Sequence, residues 1–322
     1  MKAARYLERR LLHSLALLIV VSLLAFFLSQ LAPGSFLDEL KLNPQISQQT
    51  IDALRVHYGL DQPVMVRYFR WLRSAMVGDF GYSVAYNLPV NHLLWGRMRA
   101  TLLLGTSAML LAWLIALPLG IWSAHSGGFA DRVLTGVSTV LLGTPELALG
   151  LIFLLIAARL GDLPVGGMSS VSAQSVEFFG AGNLLRHLLI PAVVLALASF
   201  PVLFRHVRGA MRESLHSPFI QAARGHGIGE TRLLLRHALP AAANPLISLF
   251  GLSLAALVSG SLLVEVICGW PGLGPMFIDA IYARDVQIVL AVVMLFSAFL
   301  VISNFIADLL LYATDPRVRA EC

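Results

Sequence analysis

Apolar runs of about 18 or more residues recur along this chain, and each is long enough to cross a bilayer as a helix. The runs are continuous and do not alternate, so helices rather than barrel strands must satisfy the backbone inside lipid. The pattern predicts an all-α membrane protein with about six transmembrane helices, near 11–31, 100–123, 133–158, 184–205, 242–265 and 286–312. Composition agrees: 57% of the residues are hydrophobic and 13% charged. A soluble domain carries about 25% charged residues. The first run follows Arg9-Arg10, exceeds a usual signal-peptide core and has no A-x-A site after it, so an uncleaved span is expected.

Arginine placement orients the spans. Lys2, Arg5, Arg9 and Arg10 precede the first. Arg205, Arg208, Arg212, Arg224, Arg232 and Arg236 cluster between the fourth and fifth, and Arg317 and Arg319 follow the sixth. With six spans all three groups share one side, which positive-inside logic makes cytoplasmic, with both termini. Arg97 and Arg99 are exceptions at the other end of the second span. The expected organisation is a tail and first span at 1–31, an extracytoplasmic helical insertion at 32–99, a five-span core at 100–314 with a cytoplasmic loop at 206–240, and a cytoplasmic tail at 315–322. Within the insertion, "ISQQTIDALRVHYG" predicts a short helix stopped at Gly59. A second is predicted after Pro63, with Val64, Tyr68, Trp71 and Ala75 on one face.

Several chemistries are excluded. Lysine occurs only at Lys2 and Lys41, so no GxxxxGK[ST] phosphate loop exists and ATP hydrolysis within this chain is not expected. There is no HExxH, GxSxG or acidic calcium loop. Cys268 and Cys322 fall on opposite sides of the expected topology and cannot pair. His187, His206, His226 and His237 are scattered and read as polar contacts rather than metal ligands. No cofactor, metal or nucleic-acid partner is expected; the positive charges lie beside membrane spans, and lipid is the surrounding partner.

Between the fourth and fifth spans lies "FIQAARGHGIGETRLLLRHALP". Ser217 is a candidate N-cap and Pro218 suits a first turn. Phe219 to Arg224 predict one or two helical turns. Gly225, Gly227 and Gly229 then predict a tight reversal with positive φ, and Thr231 a cap for the next segment. Phe219, Ile220 and several arginines are expected on the surface. Such a turn is either a solvated basic connection or a protruding knob for a partner's groove.

Gln221-Ala222-Ala223, then Gly227, then Leu239-Pro240 resemble the "EAA…G…I-x-LP" loop of permease subunits of binding-protein-dependent ABC importers. The family's glutamate is Gln221 here and its isoleucine His237. "LAPG", "YGLDQPVMVRYFRWL", "GDFGYS", "RMRATLLLG", "VEVICGWPGLGPMFIDAIYARDVQIVL" and "ADLLLYATDPRVR" are similar, in order, to the first (B-type) permease subunit of dipeptide and oligopeptide systems. The resemblance implies a type I-like ABC importer permease. Its coupling helix, built from Phe219, Gln221, Ala222, Ala223, Arg224, Gly225, Gly227, His237, Leu239 and Pro240, would dock on an ATPase subunit. It also implies a second permease subunit, two ATPase subunits that hydrolyse the ATP, an extracytoplasmic solute-binding protein, and the bacterial inner (cytoplasmic) membrane. Nickel, glutathione, peptide-antibiotic and oligosaccharide systems use similar permeases.

Other residues complete the expectations. Trp270, Pro271, Gly272, Gly274, Arg284 and Asp285 would form an outer-face turn, an ordinary connection or a gate contacted by the binding protein, with Asp279, Arg284 and Asp285 as polar rim. Glu146, inside the third expected span, would reach water at a helix end or border the translocation path. Glu265 would hydrogen-bond locally. A rival class, an ion-driven transporter, calls for paired intramembrane charges or matching broken helices, and a membrane enzyme for clustered catalytic side chains; neither pattern is in the sequence.

Overall fold

A computed structural model describes residues 2–31, 47–49, 53, 56, 61–83, 85–161, 163–168 and 181–314. The expected helix before Gly59 lies largely outside these residues, as do the 315–322 tail and Cys322. The described chain is helical apart from one antiparallel pair, β1 (Tyr82–Ser83) and β2 (Leu88–Pro89), an addition to the all-α expectation. It divides into two compact units.

One unit comprises 7–100 and 272–298. It holds most of α1 (Lys2–Leu31), α2 (Val64–Met76), the strand pair, the first residues of α3 (Val90–Ser126), α12 (Leu273–Tyr282) and the start of α13 (Val286–Thr314). The apolar face expected on α2 is real: Tyr68 and Trp71 are buried, with Val64 and Ala75 packed beside them. Four neighbouring residues on one helix cannot make a core, and Phe26 and Leu290 complete it. Phe26 meets Tyr68 edge-on at 5.5 Å, and the Tyr68 hydroxyl hydrogen-bonds Ser22 at 2.9 Å.

The other unit comprises 1–6, 101–271 and 299–322. After α3 come α4 (Gly128–Gly143), α5 (Glu146–Leu160), α6 (Ala181–Leu215), α7 (Pro218–Gly225), α8 (Glu230–Leu233), a π turn (Leu234–Ala238), α9 (Leu239–Ala241), α10 (Ala243–Ser259) and α11 (Leu262–Ile267). Among the described residues four helices are long and apolar enough to cross a membrane, or up to six if each of two bent pairs is one span.

Two of the expected spans are bent. The third span is an elbow: α4 and α5 meet at 101°. Thr144 is extended (φ −90°, ψ 120°), as a residue before proline prefers, and Gly143 offers little helix propensity to resist it. Pro118, Pro191 and Pro201 instead lie inside helices. The fifth span bends by 66° before α10 and is interrupted at Gly260–Ser261. The fourth continues to Leu215, because Val207, Met211 and Leu215 recur every four residues and are all buried. The second begins at Val90, inside the segment expected to be insertion.

The 206–240 loop as candidate coupling site

The candidate site begins where α6 leaves the bundle. Val207, Met211 and Leu215 of α6 bury one stripe with Ile220 of α7, Leu233 of α8, Ala238 of the π turn, and Ala242 and Leu246 beyond it. Trp113, Leu117, Ile121 and Ala124 of α3 pack against this cluster. Pro218 opens α7 at a position whose N–H has no helical partner in any case. Ser217 stands at the N-cap, but its hydroxyl donates to Ser214 O at 2.5 Å instead of accepting from α7. The expected Ser217 side-chain cap is therefore absent: its oxygen is turned toward α6.

The reversal after α7 uses one glycine of the three. Gly227 has φ +76°, a region that favours glycine. Gly225 is the last residue of α7 and Gly229 is the extended N-cap of α8. Thr231 lies inside α8 and does not cap it. Across the turn, the Arg224 guanidinium donates two bonds to Glu230, Nε to Oε1 at 2.9 Å and Nη2 to Oε2 at 3.2 Å. The sequence places Arg224 in the coupling helix; the structure adds Glu230 as its partner within the chain. The signal was an opposite charge six residues on, which matters only once the glycine turn folds the two together.

The π turn also has a local cause. Pro240 has no N–H for Arg236 O, and its ring crowds that carbonyl; widening the preceding turn relieves both. Leu239 N then donates to Leu234 O, five residues back. Ser214 Oγ of α6 donates to Ala238 O at 2.9 Å, fixing the π turn to the helix before the loop.

The expected site residues separate into two sets. Phe219, Gln221, Ala222, Arg224, Gly225 and Gly227 are exposed on α7 and its turn, Phe219 by 51%. Ala223 is half-buried, and His237 and Leu239 are half-buried in and beside the π turn, with Pro240 exposed. Ile220 was expected on the surface; it is 0% exposed and anchors α7. Gln221 Nε2 donates to His216 O at 3.2 Å, a bond that the family's carboxylate could not donate.

The remaining candidates are elsewhere. Glu146 is the first residue of α5, at the elbow, and is half-buried. In the 101–271 unit Trp270 is 0% exposed, and its backbone N–H donates to Glu265 O at 2.8 Å. Glu265 is buried and accepts from Ser261 Oγ at 2.9 Å, the local role expected. Pro271 is half-buried. Cys268 is buried, and burial pushes its thiol up to about 11. In the 272–298 unit Gly272 and Gly274 are buried, and Gly274 belongs to α12 rather than breaking it. Arg284 is exposed with φ +53°. Asp285 is not a rim residue: it is 2% exposed and accepts from Ser83 Oγ at 2.6 Å, Ala85 N at 3.1 Å and Ile288 N at 3.4 Å. It caps α13 and ties down the strand pair. Among the described residues no group of His, Cys, Asp or Glu could hold a metal ion.

Residues 116–320 match the family described as "Binding-protein-dependent transport system inner membrane component", and residues 3–104 match the N-terminal model of such membrane components. The oligopeptide transport system permease protein AppB of Bacillus subtilis is 35% identical, covering 98% of this chain and 99% of that protein. The oligopeptide permease OppB of Mycobacterium tuberculosis is 33% identical, with the same coverages. The glutathione permease GsiC of Salmonella paratyphi A is 31% identical over 98% of each. Among solved structures, the inward-facing MetNI methionine ABC transporter aligns with a TM-score of 0.56 at 17% identity, covering 69% of this chain and 96% of that one. The chain belongs to the binding-protein-dependent transport system inner membrane components, as a membrane-spanning permease of an ABC importer.

Proposed function

We propose that this permease imports dipeptides or oligopeptides, and that the 206–240 loop couples it to a separate ATPase. Full-length similarity to two oligopeptide permeases supports the cargo class. The observation that carries the coupling reading is the arrangement of α7. Its inner side is anchored by fully buried Ile220, while Phe219 and Ala222 are exposed away from that side. Such a lever has a firm base and an exposed outer face. A push on α7 passes through Ile220 to α6 and through Leu233 and Ala238 toward α10, so two spans tilt together.

On this reading the loop and both termini are cytoplasmic, in accord with the arginine distribution. Two ATPase subunits hydrolyse ATP below the membrane, a second permease chain completes the path, and an extracytoplasmic binding protein delivers cargo. The organisation is a 32–99 insertion, a 100–314 core and a 315–322 tail. Glu146, at the elbow, borders the path, and the 268–285 turn meets the binding protein through exposed residues such as Arg284.

Ala222→Glu tests the reading. Ala222 is exposed, so the substitution disturbs no internal packing. The variant is expected to reach the membrane at normal abundance and to lose uptake of labelled tri-alanine together with ATPase association. Wild-type uptake by this variant refutes the coupling role.

A further inference from the structure

A polar cluster outside the loop ties the lever to the elbow. Asp131, in the first turn of α4, receives two bonds from Arg208 of α6: Nε to Oδ1 at 2.5 Å and Nη2 to Oδ2 at 2.7 Å. Ser123 Oγ, from the last turn of α3, donates to Asp131 Oδ1 at 2.5 Å. One turn back along α6, Arg205 donates to Ser138 Oγ at 3.3 Å and Thr139 Oγ1 at 2.9 Å. The two arginines thus grip α4 at both its start and its middle. The Arg208–Asp131 pair is the firmer: its side chains are 23% and 14% exposed, and a two-point guanidinium–carboxylate contact fixes orientation as well as distance. The carboxylate also lies at a helix N-terminus, which favours negative charge.

Position gives the pair its meaning. Arg208 follows Val207 and precedes Met211, both in the core under α7. A Cβ on Gly120 of α3 would come 2.7 Å from Val207 Cγ1, so α3 and α6 are in close contact at the same level. From Asp131, α4 runs directly to the Thr144–Pro145 elbow and Glu146. We infer that Asp131 and Arg208 are positioning residues that make α4 move as one body with α6, so that displacement of the coupling helix reaches the α4–α5 elbow. The inference rests on the coupling role of the loop.

The test uses the assembled transporter in nanodiscs, with Cys322→Ser, spin labels at exposed Val140 on α4 and Val202 on α6, and pulsed electron resonance. In the otherwise native chain the label distance is expected to stay unchanged between the nucleotide-free state and the state trapped with ATP and vanadate. In Asp131→Asn it is expected to match the native distance without nucleotide and to shift by about 2 Å or more on trapping, the scale of helix displacements in switching proteins. The charge-swapped pair Asp131→Arg/Arg208→Asp is expected to bring that shift back toward zero. The inference is overturned by a trapping shift in the native chain, by no shift in Asp131→Asn, by an altered distance already without nucleotide, or by failure of the swap to restore the distance. Ala222→Glu in the same preparation reports separately on the coupling role. If it hydrolyses ATP as the native transporter does, that role fails, whatever the labels show about α4 and α6.

Discussion

Ile220→Ala separates the two faces of α7. Ile220 is 0% exposed within the cluster of Met211, Leu215, Leu233 and Ala238. Alanine removes three carbons, worth about 2.4 kcal/mol at about 0.8 kcal/mol each. The cavity left behind adds to that, for a total of about 2.5–5 kcal/mol. Because each 1.4 kcal/mol is tenfold, local opening of the loop should become at least about 30-fold more frequent. Phe219→Ala, at a site 51% exposed, should cost under about 1 kcal/mol and leave the loop closed. Amide hydrogen exchange of the full-length chain in nanodiscs reads the difference directly. The informative amides are Gln221, bonded to Ser217 O, His226, bonded to Ala222 O, and Ile228, bonded to Ala223 O. Ile220→Ala is expected to lose protection at all three together, while Phe219→Ala keeps protection and loses ATPase association. If Ile220→Ala exchanges within about 3-fold of the native chain, α7 is not held by its buried face, and the lever argument loses its base.

Two other predictions concern Asp285, buried where the sequence places a polar rim, and the buried Cys268. Asp285→Ala removes an acceptor shared by Ser83, Ala85 and Ile288, and should cost about 2–3 kcal/mol, seen as faster chymotryptic cleavage at Tyr82 or Tyr86; Asp285→Asn, which keeps an acceptor, should be milder, and equal cleavage of all three chains refutes the tie. Cys268, with its thiol near 11 and its side chain buried, should resist maleimide at pH 7 in a Cys322→Ser chain and react only after denaturation; rapid native labelling refutes that environment.

What was legible in the sequence follows from physics that is local. Span number came from the length of apolar runs, which needs no neighbour. The face of α2 came from a 3.6-residue period and was found as expected. The elbow at Thr144–Pro145 has a local signal: proline inside an apolar run is tolerated at 118, 191 and 201, but at 145 it follows a glycine and a β-branched residue. The partners of charged residues were not legible. Arg224 with Glu230 needs the Gly227 turn first, and Arg208 with Asp131 needs two helices to pack antiparallel across 77 residues of sequence. The burial of Ile220 beside the exposed Phe219 belongs to the same class, since a two-turn helix shows no period long enough to assign its inner side.

The distribution of these contacts fits the solvents the chain crosses. Lipid tails are as apolar as leucine, so helices within a bilayer gain little by burying leucine against each other. Close approach and polar ties must serve instead. Gly120 leaves room for Val207, Gly251 leaves room for Ala307, and two arginines of α6 bond to α4. Within 206–240 the chain also buries Met211, Leu215, Ile220 and Leu233 completely or nearly so. On the proposed coupling role, a lever packed on this cluster and joined to α4 by short polar bonds can be pushed as a solid piece. Asp131 and Ile220 therefore test two halves of one linkage: Ile220 the solidity of the lever, Asp131 its grip on the elbow.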